Sequence, residues 1–177
     1  MIKSRLRKSE KGASVLDLSL AVVGAMAMLG TIFSFANQTL HQQRVEGVAQ
    51  DVAWVIDRTK ALKRTSLNFT NINNTLLIAN SVLPDGIVSG PSAMTHGLGG
   101  SIDVVPVVAG RFAINLSGTG KEDCIDVATS IWGLNSDSIF KIRINGVRTA
   151  LDISGFDMNA VIANCAANWT TRVVVNW

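Results

Sequence analysis

Hydrophobic and polar positions divide the chain into three stretches. From Leu18 to Ala36 (LSLAVVGAMAMLGTIFSFA) the residues are apolar with small or hydroxylated interruptions, and no Lys, Arg, Asp or Glu occurs between Asp17 and Arg44. As a helix this run is roughly 28 Å long, about one hydrocarbon core. The period then changes. Val45, Val48, Ala49, Val52, Val55, Ile56, Thr59 and Leu62 recur at steps of three and four, inside a sector of about 140° on a helical wheel. Arg44, Glu46, Asp51, Asp57, Arg58 and Lys60 fall mainly outside it. No proline interrupts residues 13–66, so the pattern predicts one long helix there, apolar all round at first and amphipathic afterwards. Trp54 lies opposite the apolar stripe, either as an isolated exposed aromatic or as a contact between subunits.

The third stretch, 67–177, reads as a small α+β domain. Residues 67–101 are rich in Asn, Ser, Thr and Gly, with Pro84 and Pro91, and predict a long connection carrying a short helix near 74–82. The run HGLGGS, 96–101, has neither phosphate-loop nor dinucleotide spacing and reads as a turn into the strand that follows. Ile102–Val105 and Arg111–Leu116 predict a hairpin. In Ile139–Ile144, Phe140, Ile142 and Ile144 alternate with Lys141 and Arg143, and Asn145-Gly146 predicts a tight turn with Val147–Leu151 as the returning strand. Thr171–Trp177 predicts a last strand. Asp123–Trp132 and Asp157–Ala166 predict short helices, each opened by an acid at its cap.

Charge narrows the function classes. The formal net charge is +3, but residues 1–12 (MIKSRLRKSEKG) hold five basic residues against Glu10 alone. The remainder carries eleven basic and twelve acidic residues. The basic pI thus belongs to a short N-terminal segment and does not describe a nucleic-acid-binding domain, so no nucleic acid is expected to bind directly. The chain is 47% hydrophobic, too apolar for a disordered segment, and its mixed composition after the first forty residues excludes a polytopic membrane protein.

Candidate chemistry is sparse. His41 and His96 lack metal-ligand spacing, the acids are dispersed, and no nucleophile, zinc or redox motif occurs, so neither catalytic residues, nor a metal, nor a cofactor is expected. Cys124 and Cys165 fall in the two predicted short helices, and are either paired, as export would favour, or two buried thiols.

A basic leader before an apolar helix sets the N-terminus on the cytoplasmic side and exports the bulk. A cleaved signal peptide and a plain signal anchor are two readings of that arrangement. The third rests on Gly12, followed by Ala13-Ser14-Val15-Leu16-Asp17 and then the uncharged run, which places one acid at the fifth position after a glycine. This resembles the prepilin signature of type IV pilins. GGSIDV, DCIDVATSI, INGV and a late cysteine before a closing strand follow in the order seen in bundle-forming and conjugative thin-pilus pilins of the type IVb branch.

The resemblance implies a basic prepilin leader over 1–12, cut between Gly12 and Ala13 by an inner-membrane prepilin peptidase that methylates the new amine. It implies a long helix over 13–66, serving as membrane and filament core to about residue 40, and a globular pilin head over 67–177. Asp17 stands where the family usually has Glu and would set register by pairing with a neighbour's N-terminal amine. Cys124 and Cys165 would close a disulfide-bounded C-terminal region. The implied function is that of a major structural subunit, held in the bacterial inner membrane before assembly. Inner-membrane assembly machinery would then polymerise it with its own kind into a helical, extracellular fibre for attachment or mating contact. A minor pilin, a secretion pseudopilin and a signal-anchored periplasmic binding domain are the alternatives.

Overall fold

A computed structural model describes residues 10–65, 71–80, 83–84, 86–107, 110–135, 137–150 and 155–176. The elements in chain order are α1 (Glu10–Thr65), α2 (Asn74–Asn80), β1 (Met94–Thr95), β2 (Ser101–Pro106), β3 (Arg111–Thr119), α3 (Lys121–Asn135), β4 (Ile139–Ile144), β5 (Val147–Ala150), α4 (Met158–Asn164) and β6 (Asn168–Asn176). The long N-terminal helix, the small antiparallel sheet and the Cys124–Cys165 disulfide are therefore all present. The expected strand ends Leu151 and Trp177, like most of the leader, lie outside the described residues.

The chain forms two compact units that divide at Gln42/Gln43. In the first, the helix keeps Leu18, Leu20, Met26, Phe33 and Phe35 exposed. It is the one helix among the described residues long and apolar enough to cross a membrane.

In the second unit the amphipathic stripe is buried as its period requires. Val48, Ala49, Val52, Val55, Ile56 and Thr59 are almost entirely inaccessible, and Leu62 packs against the same core. The sheet order is β1-β2-β3-β6-β4-β5, antiparallel throughout. The last strand of the chain is thus a central strand, paired along its length with β3 and on its other side with β4. Ile102, Val104, Phe112, Ile114, Leu116, Ile142, Ile144, Trp169, Val173 and Val175 share one core with side chains of α1, α2 and α3, so these helices cover one face of the sheet.

The hairpin of Arg111–Thr119 with Ser101–Pro106 is observed, in the register Ile102↔Leu116. The Asn145-Gly146 turn has φ of 49° and 80°, the left-handed pair a two-residue hairpin demands. Two expectations need correction. Phe140 does not share the buried face of Ile142 and Ile144. The register shifts between Ile139 and Lys141, so Ile139 takes the buried position and Phe140 is half-exposed. A bulge of this kind inserts one residue and reverses the alternation behind it. Asp123 is not a cap either: α3 starts at Lys121, and Glu122 and Asp123 both sit in its first turn, where acids favour the helix dipole. Asp157 does cap α4, accepting from Ala160 N at 3.1 Å.

Candidate assembly interface

The residues expected to direct processing and register, Gly12, Ala13 and Asp17, all fall within the first turns of α1. From Leu18 onward this segment presents large apolar side chains on every side: Leu20 is 78% exposed and Phe33 71%. An all-round apolar helix has no stable place in water. It needs lipid or other apolar helices around it.

In the second unit, Trp54 faces away from the core stripe and is 46% exposed. The Arg58 guanidinium stands one helical turn away, 5.0 Å from the centre of its ring, a cation–π arrangement that holds the indole in place. Arg58 Nε is buried without a hydrogen-bond partner. Asp51 is half-buried, and desolvation pushes its carboxyl up to about 6. On the same helix Lys60 Nζ donates to Ser138 Oγ at 2.8 Å and ties the helix to the turn before β4.

The head is stapled at its C-terminal side. Cys124 in α3 and Cys165 at the end of α4 are joined with their Cα atoms 5.7 Å apart. This excludes the reading as two free thiols. Both cysteines are buried, so the bridge belongs to the core as well as cross-linking the chain.

Two polar features that composition alone could not reveal hold the sheet's edge. Asn74 is nearly buried; its Nδ2 donates to Ile102 O at 2.8 Å, and its Oδ1 accepts from Val104 N at 2.8 Å. The amide thereby acts as a one-residue strand on the part of β2 that the short β1 leaves unpaired. His96, expected only as a loop residue, is also buried. Its Nε2 donates to Ser117 O at 2.8 Å, and its ring stacks on Trp169 at 6.1 Å. Burial lowers its pKa, outweighing the hydrogen bond to Ser117 and the Asp123 charge, which act in the other direction. Gly100 and Gly118 make this packing possible: a Cβ at either would run into Ser117 and His96, or into the Trp169 ring.

A shallow groove of about 360 Å³ runs beside this knot, between Gly99–Gly100, Ser117–Thr119 and Asn168–Thr170. It brings together no acid, base and nucleophile. Among the described residues no group of three or more His, Cys, Asp or Glu side chains is placed to hold a metal.

The sequence model of a family described as PilS N terminal matches residues 42–176, the unit formed by the amphipathic half of α1 and the whole disulfide-stapled sheet. No curated protein matches the chain. With about three quarters of its length covered by that match, the chain belongs to the PilS N-terminal family, a pilin-like family.

Proposed function

We propose that the protein is a structural, non-enzymatic subunit of a type IVb pilus. It is made as a prepilin, cut between Gly12 and Ala13, and polymerised through α1 into an extracellular fibre. The observation that carries the proposal is the pairing, in one chain, of a pilin-family head with a helix whose apolar side chains are exposed on all sides. That helix is suited to two apolar surroundings in succession, the inner membrane before assembly and the bundled helices of a filament afterwards. In a filament core of low dielectric, Asp17 would pair with the new N-terminal amine of a neighbour, because an unpaired carboxylate there is strongly unfavourable. In this reading the subunit is the major one, with attachment or mating contact as the fibre's role.

Intact mass and N-terminal sequencing of protein sheared from the cell surface test the proposal. A chain beginning at methylated Ala13 and recovered in high-molecular-weight fibres supports it. A chain that stays in the membrane and still begins at Met1, in cells that contain the peptidase, overturns it in favour of a signal-anchored domain.

A further inference from the structure

The face of the sheet turned away from the helices is strongly cationic. After Arg64 the chain has six basic residues, and five of them lie on strands: Arg111, Lys141, Arg143, Arg148 and Arg172. Register puts Arg172 of β6 opposite Arg143 of β4. Arginines directly opposite one another repel, so this pair is unfavourable in the isolated head. Val174 and Ala113, paired in the same layer, are buried although they stand outside the main core. Arg111 stacks its guanidinium 3.6 Å from the centre of the Phe140 ring that the bulge turns outward, and Arg143 Nε is buried with no hydrogen-bond partner.

Among the described residues, the only acid on the six strands is Asp103 on β2, and it is engaged by Asn74 Nδ2 at 3.1 Å. Glu122 and Asp126 are exposed and one turn apart on α3, whose opposite side, with Cys124, Val127, Ala128 and Ile131, packs on the helix-covered face of the sheet. The exposed edge of α3 thus presents two acids, Glu122 and Asp126, with Lys121 beside them, on the side of the head away from the cationic sheet face.

We propose that the cationic sheet face centred on Arg143 and Arg172 docks a second copy of this chain, through the Glu122/Asp126 edge of that copy's α3. Complementary patches on different sides of one molecule make a heterologous contact. Such contacts propagate into rings or open helical filaments rather than closing into dimers. The inference rests on the pilin reading and adds to it a specific contact between heads.

Charge exchange in the full-length chain, expressed with its own assembly system, tests it. The variants are Arg143→Glu/Arg172→Glu, Glu122→Lys/Asp126→Lys, and the four changes together. Sheared fibre is measured against the disulfide-bonded pool in the membrane, which reports folding independently. Each pair is expected to lower the fibre fraction about tenfold, and the combination to recover most of it, because the contact is restored with its polarity reversed. If Arg143→Glu/Arg172→Glu prevents folding, Arg143→Gln/Arg172→Gln keeps the test open, with a loss of about threefold expected.

Fibre yield that is unchanged by either pair, or a combination as poor as its parts with all chains folded, overturns the contact. Normal fibres that lose only their adhesion to phosphatidylglycerol vesicles would assign the face to an external anionic surface, and would also overturn it. Failure of the unmodified chain to form fibres removes the pilin reading itself, and this inference with it.

Discussion

At the scale of single residues, the most consequential side chains are polar groups inside the head. Asn74 carries two hydrogen bonds to the backbone of β2, and among the described residues no other strand stands at that place to take them over. Replacing it by Ala leaves a buried N–H and C=O unpaired. Asn74→Ala should therefore cost about 2–3 kcal/mol, measured by urea unfolding of the detergent-solubilised chain. His96 and Asp51 give opposite pH dependences. His96 resists protonation in the fold, so below its ordinary 6.5 the unfolded chain binds more protons and stability falls as the pH drops. Asp51 is the reverse: the fold holds its proton up to about 6 and the unfolded chain releases it near 3.8, so stability rises as the pH drops between those values. Comparing unfolding midpoints at pH 7 and pH 5 separates the two. The change on acidification should be more favourable in His96→Gln than in the unmodified protein, and less favourable in Asp51→Asn. Identical differences in all three would refute both assignments.

At the scale of elements, the disulfide decides how the C-terminal region is held. It links α3 to the end of α4, two short pieces with little surface of their own to bury, across a separation of 41 residues. In the chain-entropy account, closing such a loop stabilises the fold by about 4 kcal/mol. Cys124→Ser/Cys165→Ser should lose that amount, and the double variant should be cleaved first within 121–165 under limited proteolysis. The elements also differ in how readable they were. The stripe from Val45 to Leu62 and the Asn145-Gly146 turn are local patterns, and both are observed. The bulge at Phe140 was not legible, because an inserted residue shows only against the register of a neighbouring strand, and that neighbour, β6, is about thirty residues away. For the same reason Asn74 looked like one polar residue in a polar connection: its meaning depends on where β2 is left without a partner.

At the scale of the whole molecule, the two units have opposite solvent requirements. From Leu18 to Gln42 the first unit exposes apolar side chains, whereas Gln43–Trp177 buries its own. This difference underlies the proposed passage from membrane to fibre. It also places Asp17 at the beginning of a segment that must leave water. Asp17→Ala should leave cleavage after Gly12 intact and reduce sheared fibre at least about tenfold, since a lost buried ion pair leaves its partner amine uncompensated. Normal fibre from correctly cleaved Asp17→Ala would remove the register role. Asp17→Glu, by contrast, restores the usual reach and should assemble at least as well.

What the amino-acid sequence determined by itself is whatever depends on neighbours within a few turns of chain. That comprises the apolar run, the amphipathic stripe, the glycine–acid spacing at Gly12 and Asp17, the tight turn at Asn145-Gly146 and the acidic cap of α4. Each follows from a period or a preferred dihedral, both properties of short segments. Tertiary structure alone decided that β6 lies between β3 and β4, that Asn74 completes an edge, that His96 is buried against Trp169, and that the basic residues of β3, β4 and β6 gather on one face. Those outcomes depend on pairings between distant strands, which are selected by burial summed over the whole core and leave no local mark in the chain.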